Sequence, residues 1–291
     1  KTKTRTSKGE RKKDSAGAWM VAWRERIAQD VFTRELVVSV VWTVVGLSLA
    51  AVSQDDAFCA RVLRLPSGWT PLQRFLALLA PAMLVFFEAL QLGLGAAINP
   101  MLSVALGVAA KVSPTDALRM VAAQFAGHVL AVRIFYQAWH KPLTVISPPS
   151  PSAELTTARA IAEEAALTFV MAFLLPLVGE RVKSSRMRSL APPLIIISLL
   201  FAGAERSGAS MNPALASSLA LHSADSWESP VVYWVGPLVG AVLAGAALRL
   251  CDAPPRAART LRKKISGSGL TSRISQPALA TKRSEPPHKR S

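Results

Sequence analysis

The chain has 291 residues, 51% of them hydrophobic, with a mean hydropathy of +0.32, a formal net charge of +16 and a pI near 10.7. That length and apolar content suit a multi-pass membrane protein of about six or seven spans with modest tails. The charge alone would suit a nucleic-acid binder, but Lys and Arg cluster in the tails and one loop, and neither a zinc spacing nor a phosphate-binding Gly loop occurs; no nucleic-acid partner, metal or cofactor is expected.

In chain order, residues 1 to about 30 are polar and basic. They read mostly as a solvated tail, with Trp19–Val31 as a candidate amphipathic surface helix. Leu36–Val52 is the first predicted span, with Glu35 at its entrance and Ser39 one turn later. Residues 53–71 are a polar loop. Leu72–Leu94 is the second span. It carries Glu88, a charge costly in lipid and so expected to face the bundle interior, a subunit interface or a pore. Pro114–Trp139 is the third, with Gln124 and with Gly127, small enough for close helix approach. The Pro-rich run His140–Ser152 cannot be helical throughout and connects two halves. Ala158–Val178 is the fourth span, where Glu164 and Thr168 echo Glu35 and Ser39. Leu190–Ala204 is the fifth. Ser229–Leu250 is the sixth, with Gly236, Gly240, Ala244 and Ala247 along one face. From Cys251 the chain is basic, Pro/Ser-rich and expected to be disordered.

Orientation follows from charge. The two tails and the loop holding Arg181, Lys183, Arg186 and Arg188 carry most of the basic residues. With six spans these regions share one side, cytoplasmic by the positive-inside rule. Cys59 and Cys251 then fall on opposite sides, so no disulfide joins them.

Two twelve-residue stretches organise the rest: Gly95–Leu106 (GAAINPMLSVAL) and Gly208–Leu219 (GASMNPALASSL). Both read Gly-Ala-x-apolar-Asn-Pro-x-Leu-x-x-x-Leu, which marks an internal repeat. Asn is a favoured helix N-cap and Pro a favoured first helical residue, so each copy starts a helix. The apolar runs that follow cover roughly 12–15 Å at about 1.5 Å per residue, half of a hydrocarbon core of about 30 Å. Three spans per half invert the second half relative to the first, so the short helices meet from opposite faces. Asn99 and Asn212 then lie near the midplane, where irregular backbone must be buried or line a watery cavity. Amide donors beside two positive helix ends bind the oxygen of water or a hydroxyl group and repel a cation.

These residues resemble the aquaporin (major intrinsic protein) family over roughly residues 35–250. Beyond the motif pair, Ala123-Gln124 with Gly127, Glu164-x-x-x-Thr168-Phe169, and Tyr233-Trp234-Val235-Gly236-Pro237 look like its third, fourth and sixth helices. The resemblance implies an all-α membrane protein with six transmembrane helices plus two re-entrant half-helices in an inverted repeat. It also implies a homotetramer with one pore per subunit. By position, it makes Asn99-Pro100-Met101 and Asn212-Pro213-Ala214 the pore centre, and Glu35 and Glu164 the carboxylates that hydrogen-bond the re-entrant loops.

The departures bear on selectivity. Met101 stands where the family usually has Ala, and is expected to narrow or reshape the pore. Leu215 stands where the family almost always has the constriction Arg. The remaining constriction positions fall at Ala209, near Leu79 and within Ala202–Ala204. The filter reads as apolar, with Arg206 a substitute only if its loop folds inward. Such changes resemble the small basic intrinsic proteins of plants, an intracellular branch. The ending His288-Lys289-Arg290-Ser291 is loosely like a dibasic retrieval signal, which points to the endoplasmic reticulum, with the plasma membrane as the alternative.

The expected organisation is a basic cytoplasmic tail (1–34), a channel domain (35–250, halves about 35–139 and 158–250) and a basic tail (251–291). The expected function is a passive channel in the lipid bilayer for water or small uncharged solutes such as glycerol or hydrogen peroxide. The alternatives are a non-conducting structural or tethering protein of the same fold and an ion or proton leak. An enzyme is not expected, because no nucleophile–base pair or metal cluster falls in the apolar region.

Overall fold

A computed structural model describes residues 30–89, 95–138, 147–222 and 229–252. The surface helix predicted at Trp19–Val31, but for its last two residues, lies outside the described residues. So do the first seven residues of the Pro-rich connection (140–146), the end of the second predicted span and the dibasic-like terminus. The chain up to Arg249 is one compact unit; the second, Leu250–Ser291, is described only where it finishes the last helix.

Among the described residues every regular element is an α-helix: α1 (Val31–Ser53), α2 (Asp56–Arg61), α3 (Pro71–Ala89), α4 (Pro100–Val108), α5 (Pro114–Ala138), α6 (Thr157–Arg181), α7 (Ser185–Gly203), α8 (Pro213–Ala220) and α9 (Pro230–Asp252). Six of them, α1, α3, α5, α6, α7 and α9, are long and apolar enough to cross a membrane. The short helices α4 and α8 follow Asn99 and Asn212 directly.

Polar caps set the helix starts, and they move several boundaries away from where hydrophobicity alone puts them. Asp30 caps α1 by accepting from the Thr33 amide at 2.9 Å. Hydrogen bonds from Thr33 hold its carboxyl below the ordinary value. The helix therefore begins before Glu35, which lies inside α1 and is wholly buried rather than standing at an entrance. Ser184 caps α7, so Arg186 and Arg188 belong to a helix and not to a loop. Asp55 caps α2, a short helix inside the loop read as polar and irregular. Prolines 81, 176, 192, 193 and 237 sit inside long helices, which membrane bundles tolerate because neighbours satisfy the freed backbone groups.

Glycines set the closest helix contacts. A Cβ on Gly127 of α5 would stand 2.8 Å from Ser39 Cβ and 2.9 Å from the Leu36 carbonyl oxygen of α1. In the second half, one on Gly240 of α9 would run into the Ala165 carbonyl oxygen and stand 2.8 Å from the Phe169 nitrogen of α6. Gly236 likewise abuts Glu164. On α9 the buried stripe runs Gly236, Gly240, Ala244 and Leu248, while Ala247 is only half-buried. The opposite face of α9 exposes Trp234, Val235, Leu238 and Val242, as a lipid-facing surface would. Met101 packs with Ala105, Ala172, Ala241 and Ala244, so α4 is seated between α6 and α9.

Gly240→Ala should therefore destabilise the protein by about 1–3 kcal/mol through overpacking, read by reversible unfolding in mixed micelles. Gly179→Ala is the control. Its Cβ would meet nothing within 4 Å, so the expected change is neutral or stabilising by up to about 1 kcal/mol.

Candidate functional site

Each repeated motif enters its short helix through strained backbone. The residue before each asparagine is left-handed: Ile98 has φ 64° and Met211 has φ 48°. For a β-branched residue such as Ile98 this is a true outlier, costing on the order of 1–3 kcal/mol. The asparagines return to extended geometry and cap their helices. Asn99 Oδ1 accepts from the Met101 amide at 2.9 Å. Asn212 Oδ1 accepts from the Ala214 and Leu215 amides at 3.0 and 3.2 Å.

Two buried carboxylates hold the strained segments. Glu35 accepts from the Ala97 and Ile98 amides, each at 2.9 Å. Glu164 accepts from the Ser210 amide at 3.1 Å and the Met211 amide at 2.8 Å. Each side chain reaches from a long helix to the two residues just before an asparagine. A wholly buried carboxylate is costly unless hydrogen-bonded, and these two hold two loop N–H groups apiece.

The supporting partners differ between halves. Gln124 Nε2 donates to Glu35 at 2.8 Å, and its amide exchanges hydrogen bonds with Ser103 of α4. In the second half Ser207 Oγ donates to Glu164 at 2.8 Å, and Tyr233 donates to the Ser207 carbonyl at 2.6 Å. Gly208, at φ +95°, leaves room for that phenol: a Cβ there would stand 2.9 Å from the Tyr233 oxygen.

Both asparagines border one cavity of about 1310 Å³. Leu79, Ala209 and Leu215 line it too, with Met171, Ile196 and Leu200 adding apolar surface. Its charged lining, which includes Arg34, Lys111, Asp116, Glu180 and Arg188, comes from the starts of α1, α5 and α7, the end of α6 and the turn after α4. Lys111 and Glu180 form an ion pair at 2.8 Å. Asn99 Nδ2 donates to the Met211 carbonyl at 3.0 Å, tying the first motif to the second.

Some residues singled out from sequence lie elsewhere. Met101, Pro100, Pro213 and Ala214 are buried but are not among the cavity's lining. Met101 is taken up by the alanines of α6 and α9, so it is not positioned to narrow the cavity. The stretch Ala202–Ala204 ends α7 without lining it, and Leu200 one turn earlier does instead. Arg206 does not fold inward: it pairs with Glu163, whose hydrogen bond and charge raise its pKa further, and its side chain is 61% exposed. Glu88 is exposed, in a separate groove of about 490 Å³ with Arg186, Ser189 and Leu190.

The comparisons with known proteins show the family and the fold. A profile described as "Major intrinsic protein" matches residues 20–248. The chain belongs to the major intrinsic protein family. It is 31% identical to aquaporin-4 of Homo sapiens over 163 residues, 52% of this chain and 47% of that protein. It is 34% identical to aquaporin SIP1-1 of Zea mays over 171 residues, 55% of this chain and 67% of that one. The chain thus spans about half the length of the first curated relatives it matches. Among solved structures it is similar to the aquaglyceroporin of Plasmodium falciparum, with a TM-score of 0.57 and 20% identity, covering 74% of this chain and 94% of that one. At that identity the likeness speaks for the fold, which for this family member is a multi-pass helical membrane bundle.

Met171 and His128 are among the lining residues that the sequence reading does not single out as site members. Met171 lies seven residues after Glu164 on the inward face of α6, a helical period that points to it once Glu164 is known to face inward. His128 follows Gly127, and from sequence it reads as an ordinary bundle residue. It is 1% exposed and stands 3.2 Å from Asn212.

Glu164→Ala should remove the acceptor for two loop amides and one hydroxyl, and so destabilise the protein by about 2–4 kcal/mol. Unfolding in mixed micelles measures this. Glu88→Ala, at an exposed position, should shift stability by no more than about 0.5 kcal/mol.

Proposed function

We propose that this chain is a passive transmembrane channel for water and small uncharged solutes, with Asn99 and Asn212 at the pore centre. The observation that carries this reading is that both capping asparagines, each at the positive end of a short helix, border a single cavity lined largely by apolar side chains. Helix N-termini disfavour cations there. Amide donors favour a neutral oxygen-bearing solute. The narrow part is proposed to involve Leu79, Ala209 and Leu215, with no guanidinium among them, which favours glycerol- or peroxide-sized neutral solutes alongside water.

The proposal extends to organisation. The channel domain is residues 35–250, flanked by basic tails at 1–34 and 251–291, and both termini are cytoplasmic by the positive-inside rule. The unit is a homotetramer in an intracellular membrane such as the endoplasmic reticulum. Aquaporins among the relatives support the solute class.

A second reading, a non-conducting protein of the same fold, has one specific observation behind it. The Asn99 amide donates to the Met211 carbonyl, and the Asn212 amide faces His128. Both donors thus already have protein partners.

Stopped-flow swelling of proteoliposomes separates the two. The channel reading predicts osmotic water permeability well above that of empty liposomes, falling to the empty level in an Asn99→Leu, Asn212→Leu double variant that still folds. Wild-type permeability equal to that of empty liposomes would favour the second reading.

A further inference from the structure

The imidazole of His128 is buried in α5 between two partners of fixed character. Nδ1 is 2.7 Å from the Gln124 carbonyl oxygen. A carbonyl only accepts, so Nδ1 carries the hydrogen. Nε2 is 3.2 Å from Asn212 Nδ2. An amide NH₂ only donates, so Nε2 presents its lone pair. The orientation of the Asn212 amide is fixed independently, because its oxygen is held by the Ala214 and Leu215 amides at the start of α8. The nitrogen must therefore be the atom facing His128. The backbone under His128 is held in turn by Gly127, which is pressed against α1.

The two asparagines are consequently unequal. Asn99 donates to a backbone carbonyl of the opposite motif and to the sulfur of Met171, a weak acceptor, at 3.8 Å. Asn212 donates to a side chain that borders the same cavity. Of the elements around His128, α1 brings Glu35, whose carboxylate is already engaged by the Ala97 and Ile98 amides and by Gln124. Neither α4 nor α8 contains a titratable side chain, and α8 turns its positive end toward the contact. The Asn212 amide donor and the positive end of α8 thus keep Nε2 without a hydrogen, which leaves the neutral imidazole with hydrogen on Nδ1.

We propose that His128 is a positioning residue that sets the channel's solute preference: its Nε2 lone pair withholds one Asn212 amide hydrogen from the cavity. This rests on the channel reading above. A solute oxygen crossing the second motif finds one donor fewer than the motif alone would offer. The crossing is therefore less favourable for water and hydroxyl-bearing solutes, and relatively more favourable for less polar ones.

The test uses the full chain in proteoliposomes. His128→Leu keeps a side chain of similar bulk, removes the acceptor and frees the Asn212 hydrogen. Water permeability should rise roughly twofold to tenfold, the factor a single net hydrogen bond supplies. Glycerol permeability should rise with it. His128→Gln restores an acceptor and should reverse most of that rise. A wild type that conducts, with H128L unchanged or H128L and H128Q shifted alike, overturns the proposal and leaves the channel reading standing. A wild type that does not conduct sinks both. The tautomer gives a readout independent of flux and of variant folding. In ¹⁵N-histidine spectra of the wild type, with four histidines to assign, the His128 ring should show Nδ1 protonated and Nε2 bare at neutral pH. His128 with hydrogen on Nε2 would overturn the proposal by itself.

Discussion

The structure depends on one interaction made twice. A carboxylate inside a long helix accepts the N–H groups of two consecutive loop residues, the second of which is left-handed. Without it, Ile98 and Met211 would sit in an unfavourable backbone conformation with buried, unpaired amides. With it, the chain turns sharply enough for Asn99 and Asn212 to cap helices that start deep inside the bundle. Much of the nearby packing serves this arrangement. Gln124 and Ser103 brace the first carboxylate, and Ser207 and Tyr233 brace the second. Gly127 and Gly236 let the helices on either side approach to the distance the hydrogen bonds require.

The halves repeat in plan but not in detail, and the differences bear on what the cavity admits. Leu215 follows the second motif where a cationic side chain would place charge at the wall. It borders the cavity while packing against the cluster of Leu47, Val132, Phe135 and Leu219. The nearest guanidinium in sequence, Arg206, is held outward by Glu163. Around Leu215 the wall thus relies on shape, apolar surface and a few oriented amides, and the cavity's charged lining lies elsewhere. In such a wall a single hydrogen-bond acceptor such as His128 has more leverage than it would in water, because few competing polar groups face it.

The fold was largely legible in the sequence, since spans, inversion and short helices all follow from apolar length and the duplicated Asn-Pro. The boundaries were less so. Asp30 and Ser184 extend helices across polar residues that hydropathy assigns to loops, because a cap satisfies the first amides whatever follows. The site was legible where chemistry is local, as at the asparagines, and where cost is evident, as for Glu164 in an apolar run. It was not legible where it depends on which way a helix faces. Met101 carries no mark in sequence to say that it packs against alanines of α6 and α9 and not the cavity. His128 could be linked to Asn212 only after α5 and α8 had been brought together in space.

The most direct test of the central interaction is amide hydrogen exchange at the four loop residues, followed by NMR or mass spectrometry in lipid nanodiscs. The account predicts slow exchange at Ala97, Ile98, Ser210 and Met211 although none lies in a helix. In Glu164→Gln, the exchange of Ser210 and Met211 should accelerate while that of Ala97 and Ile98 does not. Wild-type exchange at these four amides as fast as in an exposed loop would contradict it.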